Sequence, residues 1–67
     1  MPRKIRQLIA DLRSAGFFLD RQKGSHRQFK HPKFPGIVPL SGADGDDAKT
    51  YQERQVAKAI EESGSGE

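Results

Sequence analysis

Helical periodicity near both ends of the chain, with strand-like alternation between them, predicts an α+β fold. The expected order is α-β-β-β-α, a three-stranded antiparallel sheet with two helices on one face. Three observations carry this. Ile5, Leu8, Ile9 and Leu12 recur at i, i+3, i+4 and i+7. Two extended segments flank the glycine-containing tripeptide Lys23-Gly24-Ser25. Thr50-Tyr51-Gln52-Glu53 has the form of a capping box ahead of a second amphipathic stretch.

The first helix is expected over residues 3–15, with Pro2 tolerated ahead of its first turn and Gly16 ending it in a left-handed conformation. Phe17–Gln22 and His26–His31 are the first two strands. A two-residue loop at Gly24-Ser25 would pair Lys23 with His26 and set Phe29 against the face holding Phe17 and Leu19. A three-residue loop pairs Gln22 with His26 and gathers Phe17, Leu19 and Phe29 on one face. Burial favours the three-residue loop, because a one-residue slip exchanges the two faces. Asp20, Gln22, His26, Gln28 and Lys30 then face solvent, together with Phe18. Pro32–Gly36 is expected as a turn and Ile37–Leu40 as a short third strand, which Pro39 confines to a sheet edge. Ser41–Lys49 is a polar loop. The second helix runs from a cap at Thr50 to about Glu62, presenting Val56, Ala59 and Ile60 with Tyr51 near its start. Ser63–Glu67 is expected as a flexible tail.

Sixty-seven residues make a single domain, placed at residues 1–62. A chain this short buries only about 60% of its unfolded surface, so a partner protein or self-association is the natural source of further stability. The absence of cysteine excludes disulfides and thiolate metal sites. No apolar run approaches the roughly 20 residues of a membrane span, and a soluble cytoplasmic protein is expected. The net charge of +3 is unevenly spread. Residues 1–33 hold nine Lys and Arg against two acids, and residues 34–67 hold three against seven. Such a split points to one surface for a polyanion and another with a separate task.

The element order is that of the double-stranded-RNA-binding fold, a scaffold that does not by itself decide function. A more specific resemblance lies in Gly16-Phe17, Arg21-Gln22-Lys23-Gly24-Ser25-His26, Phe29 and His31-Pro32. These residues resemble the core pattern of HicA-type messenger-RNA interferases, G-F-x-x-x-R-x-x-G-S-H with an apolar residue three positions on. The similarity covers residues 3–40 best. Where many members have a basic segment before the last helix, this chain has Asp44-Gly45-Asp46-Asp47-Ala48-Lys49. That segment is read as a solvated loop or a partner surface, not as an RNA contact.

The resemblance implies a toxin that cuts messenger RNA without a metal or other cofactor, with His26 as the catalytic residue and a HicB-type antitoxin as protein partner. The implied chemistry has a physical basis. RNA carries its own nucleophile, the 2′-hydroxyl, so the enzyme needs a base, a proton donor and positive charge near the phosphate. Histidine titrates near neutrality and can serve either proton transfer. Gly24 and Ser25 let the chain approach the backbone closely, and Lys23 can pair with the phosphate. Gln28 and Lys30 share the expected His26 face, while Arg3, Lys4 and Arg6 fit a phosphate track from the first helix. The second proton-transfer group is left among Lys23, His31 and solvent. His31 itself is turned toward the helices as a packing or capping residue. Phe18 could stack on a base or be covered by a partner. His26 and His31 lie five apart on a strand, hence on opposite faces, and the aspartates at 44, 46 and 47 lack the spacing of a calcium loop. No metal site is expected. A non-catalytic RNA-binding module of the same fold and a purely protein-binding domain are the competing readings. Oligomeric state and cleavage-site preference are not legible in the sequence.

Overall fold

The computed structural model describes residues 2–64. Its order is α1 (Ile5–Ser14), β1 (Phe18–Lys23), β2 (His26–His31), β3 (Phe34–Ser41) and α2 (Thr50–Glu62). The sheet is antiparallel with strand order β1-β2-β3, so β3 and its Pro39 lie at an edge as expected. Ile5, Leu8 and Leu12 of α1 and Val56 and Ala59 of α2 bury one core with Phe17, Phe29, Val38 and Leu40. Both helices therefore cover a single sheet face, and the other face is open.

Helix α1 stops where the chain can reverse. The Phe17 N–H donates to the Leu12 carbonyl at 2.9 Å and the Gly16 N–H to the Arg13 carbonyl at 3.0 Å. This is the Schellman arrangement, and it requires the left-handed φ of +96° found at Gly16. The closure drops Phe17 into the core, where its ring meets those of His31 and Phe34 at centroid separations of 4.9 and 5.7 Å. His31 thus faces the helices, and its Nδ1 accepts the Lys33 N–H at 2.9 Å.

The hairpin departs from the three-residue loop predicted. Lys23 pairs with His26, so the loop is the two residues Gly24-Ser25, with Gly24 at φ +61° in the first position of a type II′ turn. Yet Leu19 still pairs with Phe29 and Phe18 with Lys30, the register that apolar burial demands. A β-bulge between Leu19 and Arg21 absorbs the difference, leaving Asp20 as the extra residue. The bulge swaps faces toward the turn. Arg21 and Lys23, not Gln22, lie on the open side beside Gln28 and His26.

The third strand is also longer than the sequence indicated. It starts at Phe34, paired with His31 across the Pro32-Lys33 turn, and a second irregularity takes up Pro35–Ile37.

The start of α2 differs in detail from the expected capping box. Thr50 is already helical, Lys49 is the N-cap, and Gln52 supplies the reciprocal bond, its Oε1 accepting the Lys49 N–H at 2.8 Å. The other end of that amide donates to the Ser41 carbonyl at 2.9 Å, which ties α2 to the end of β3. Gln52 is buried, whereas its neighbour Tyr51 is 59% exposed. At the far end Ser63 is buried and its hydroxyl donates to the Ile60 carbonyl at 2.7 Å. It finishes the helix and does not open a tail. Residues 65–67 of the expected tail lie outside the described residues.

The polar loop before α2 is built into the structure instead of being merely solvated. The carbonyls of Asp46 and Asp44 accept the Ile5 and Arg6 N–H groups at 2.9 and 3.1 Å. They cap two of the four unpaired donors at the α1 N-terminus. Ala48 donates to the Arg3 carbonyl at 2.6 Å. Three aspartates at this end also complement the helix dipole.

Candidate nucleic-acid interface

The open sheet face is organised around His26, the first residue of the central strand. Its cross-strand neighbours are Lys23 on β1 and Ser41 on β3, and its side is set by strict alternation along β2. Phe29 and His31 fall on the helix side of that strand; His26, Gln28 and Lys30 fall on the open side. His26 is exposed.

Two shallow depressions flank His26. Toward β1 the lining is Arg21, Gln22, Lys23 and Gln28. Toward β3 it includes Pro39, Ser41, Tyr51 and Gln55. The β1 side is cationic. The Arg21 side chain is 83% exposed and only a 4.0 Å contact to Asp20 tempers it. Lys23 has no ion-pair partner among the described residues. Lys30 lies on the same face but is drawn toward Asp20 at 3.6 Å. The bulge thus sets Arg21 outward while its extra residue holds Lys30.

The turn next to His26 is restrained on both sides. Gln22 Nε2 donates to the Gly24 carbonyl at 3.0 Å, and the Ser25 carbonyl accepts the Gly42 N–H at 3.3 Å. Gly24 has open space where a side chain would project. A polyanion can therefore approach this corner without meeting a side chain at Gly24.

The basic residues of the first helical segment are placed elsewhere. Arg3 is ion-paired with Asp11 and lines the groove between α1 and α2, with Glu53 and Arg54. Lys4 pairs with Asp47, across the isolated bridge that joins their backbones. Arg6 is exposed on α1 and has no ion-pair partner among the described residues. These three belong to the helix layer, whereas Lys23, Gly24, Ser25, His26, Gln28 and Lys30 gather around the turn and the open face. Arg27 likewise turns inward, donating to Asp44 at 2.8 Å and to the Gly42 carbonyl at 3.1 Å. The acidic loop therefore neutralises part of the basic half of the chain. The two halves do not form separate surfaces.

Two residues were missed by sequence reasoning. Arg21 stands in the motif, but the three-residue loop turned it inward; only the bulge reverses it. Tyr51 entered only as a residue near the start of α2, and nothing in its spacing signalled a place beside His26. Among the described residues no group of three or more His, Asp or Glu side chains could hold a metal ion, and no helix is long and apolar enough to cross a membrane.

A search of curated proteins finds no match. A family model described as the HicA toxin of bacterial toxin-antitoxin matches residues 5–62. The match takes in both helices, all three strands and the acidic loop, well over half of the chain. With the Gly-Ser-His turn on the open face of this sheet, the chain belongs to the HicA toxin family of bacterial toxin–antitoxin systems.

Proposed function

We propose that this toxin is an endoribonuclease that cleaves messenger RNA in the cytoplasm by histidine-assisted attack of the 2′-hydroxyl. The observation that supports it best is the position of His26. It is exposed on the open face, with Lys23 directly across the ladder and Arg21 in the same depression. His26 accepts the 2′-hydroxyl proton as the oxygen attacks the adjacent phosphorus. Arg21 and Lys23 stabilise the charge that builds on the phosphoryl oxygens. The bond to the 5′-oxygen breaks and that oxygen takes a proton, giving a 2′,3′-cyclic phosphate and a 5′-hydroxyl. Because the nucleophile belongs to the substrate, the scheme needs no metal-bound water.

His31 is a poor choice for the second proton transfer. It lies on the opposite face, packed on Phe17, with Nδ1 already engaged. Lys23 and solvent remain. Gly24, Ser25, Gln28 and Lys30 hold the backbone around the reacting bond. A HicB-type antitoxin is the partner, covering His26 and excluding RNA.

The test expresses wild type and His26→Ala in a bacterial host and follows cleavage of purified RNA in the presence of a chelator. Wild type is expected to stop growth and cut RNA despite the chelator, and His26→Ala to do neither while melting normally. If both proteins bind RNA and neither cuts it, the chain is a binding module and the catalytic assignment fails.

A further inference from the structure

The β3-side depression beside His26 has no task in the scheme above, and its lining differs in kind from the cationic one. Pro39 and Tyr51 are apolar or aromatic, and Ser41 and Gln55 are neutral. Its one charged neighbour, Arg27, is held by Asp44 and the Gly42 carbonyl. Tyr51 is 59% exposed, yet its ring has no aromatic neighbour and its hydroxyl no hydrogen-bond partner among the described residues.

The ring is nevertheless well placed. Gln52, the next residue, is buried and bonded at once to the Lys49 N–H and the Ser41 carbonyl. Ser41 is the cross-strand partner of His26. The first turn of α2 is thus pinned to the ladder position opposite His26, and Tyr51 is carried with it. Gln55 stands one helical turn further along the same face.

We propose that this depression is a nucleobase subsite, in which Tyr51 stacks on the base flanking the bond that His26 cleaves. The inference rests on the ribonuclease reading and deepens it by giving the strand a direction across the sheet. Phosphate lies on the Arg21–Lys23 side, where charge is available. The base lies on the β3 side, where a π face and neutral hydrogen-bonding groups replace charge. Ser41 and Gln55 at the rim offer the donors and acceptors that could favour one base over another.

Tyr51 is the sole tyrosine and the chain has no tryptophan, so intrinsic emission reports on this one ring. The probe is a set of 2′-O-methyl oligoadenylate, oligocytidylate and oligouridylate, which lack the attacking hydroxyl and stay intact. Wild-type emission is expected to be quenched as an oligonucleotide binds. By fluorescein anisotropy, Tyr51→Ala should bind about 5- to 150-fold more weakly, the range set by base–aromatic stacking. Tyr51→Phe, which keeps the ring, should restore binding. If the oligonucleotides bind with emission unchanged and Tyr51→Ala binds as wild type does, the subsite is overturned while the ribonuclease reading stands. If no oligonucleotide binds any of the three proteins, both fall together.

Discussion

Replacing Gln52 tests how the two layers are joined. The side chain is buried, and its amide makes one bond to the Lys49 N–H at 2.8 Å and one to the Ser41 carbonyl at 2.9 Å. Gln52→Met keeps length and volume but makes neither bond, so it isolates the polar contribution from packing. Each lost bond leaves a partly buried backbone group unpaired, at about 1–2 kcal/mol, and the total is about 2–4 kcal/mol. A domain of this size has about 3–10 kcal/mol of stability to lose. Each kcal/mol lowers the melting temperature of such a domain by about 4–8 °C. Thermal unfolding followed by circular dichroism should therefore show a fall of about 8–30 °C. A Gln52→Met protein that melts within about 4 °C of wild type would refute the reasoning. Gln52→Glu should not rescue, since a carboxylate would face the Ser41 carbonyl with no proton to donate.

Three further outcomes are expected. Gly16→Ala forces a Cβ into a φ of +96° and to 3.0 Å from His31 Nε2, and should cost about 1–3 kcal/mol in urea unfolding; an unchanged midpoint would contradict the Schellman closure. Arg21→Ala and Lys23→Ala should each lower the slope of log affinity against log salt by about 0.7 for single-stranded RNA, whereas Arg3→Ala, already paired with Asp11, should leave it unaltered. Asp44→Ala strips a charge partner from Arg27, whose side chain is only 15% exposed. It should destabilise more than Asp47→Ala, whose pair with Lys4 is about half exposed and worth about 0–1 kcal/mol. Melting the two variants side by side at low and high salt checks the order.

What the sequence revealed depended on what burial could see. Leu8, Leu12, Phe29 and Val56 declare their side of each element, because placing any of them in water is costly. The register at Leu19 and Phe29 is legible for the same reason. Toward the turn every residue from Asp20 to Gln28 is polar, so apolar patterning has nothing to choose between. The bulge that settles the matter leaves no apolar trace, and Arg21 was lost with it. The cap of α2 was readable as a position, but glutamine performed the reciprocal bond without a serine or threonine cap. The acidic loop was readable only as polar. Its partners at Arg3, Lys4, Ile5 and Arg6 lie about forty positions earlier in the chain, beyond any local rule. Tyr51 shows the converse. Periodicity placed it on a helix near its start, but only the neighbouring Gln52 anchor decides that it faces the β3 edge.

The contact between the acidic loop and the first turn of α1 also has a consequence for the order of events during synthesis. A ten-residue helix is too short to persist alone in water. Here its leading amide groups find their acceptors at Asp44 and Asp46. The first helix therefore has to wait until residue 46 has been made before its N-terminal turn can close. A nascent chain that has emerged only as far as the Gly-Ser-His turn carries the motif but neither this closure nor the third strand. A ribosome stalled between the motif and the acidic loop would thus display a chain whose first helix is still uncapped. That closure would arrive late, with the emergence of a few aspartates.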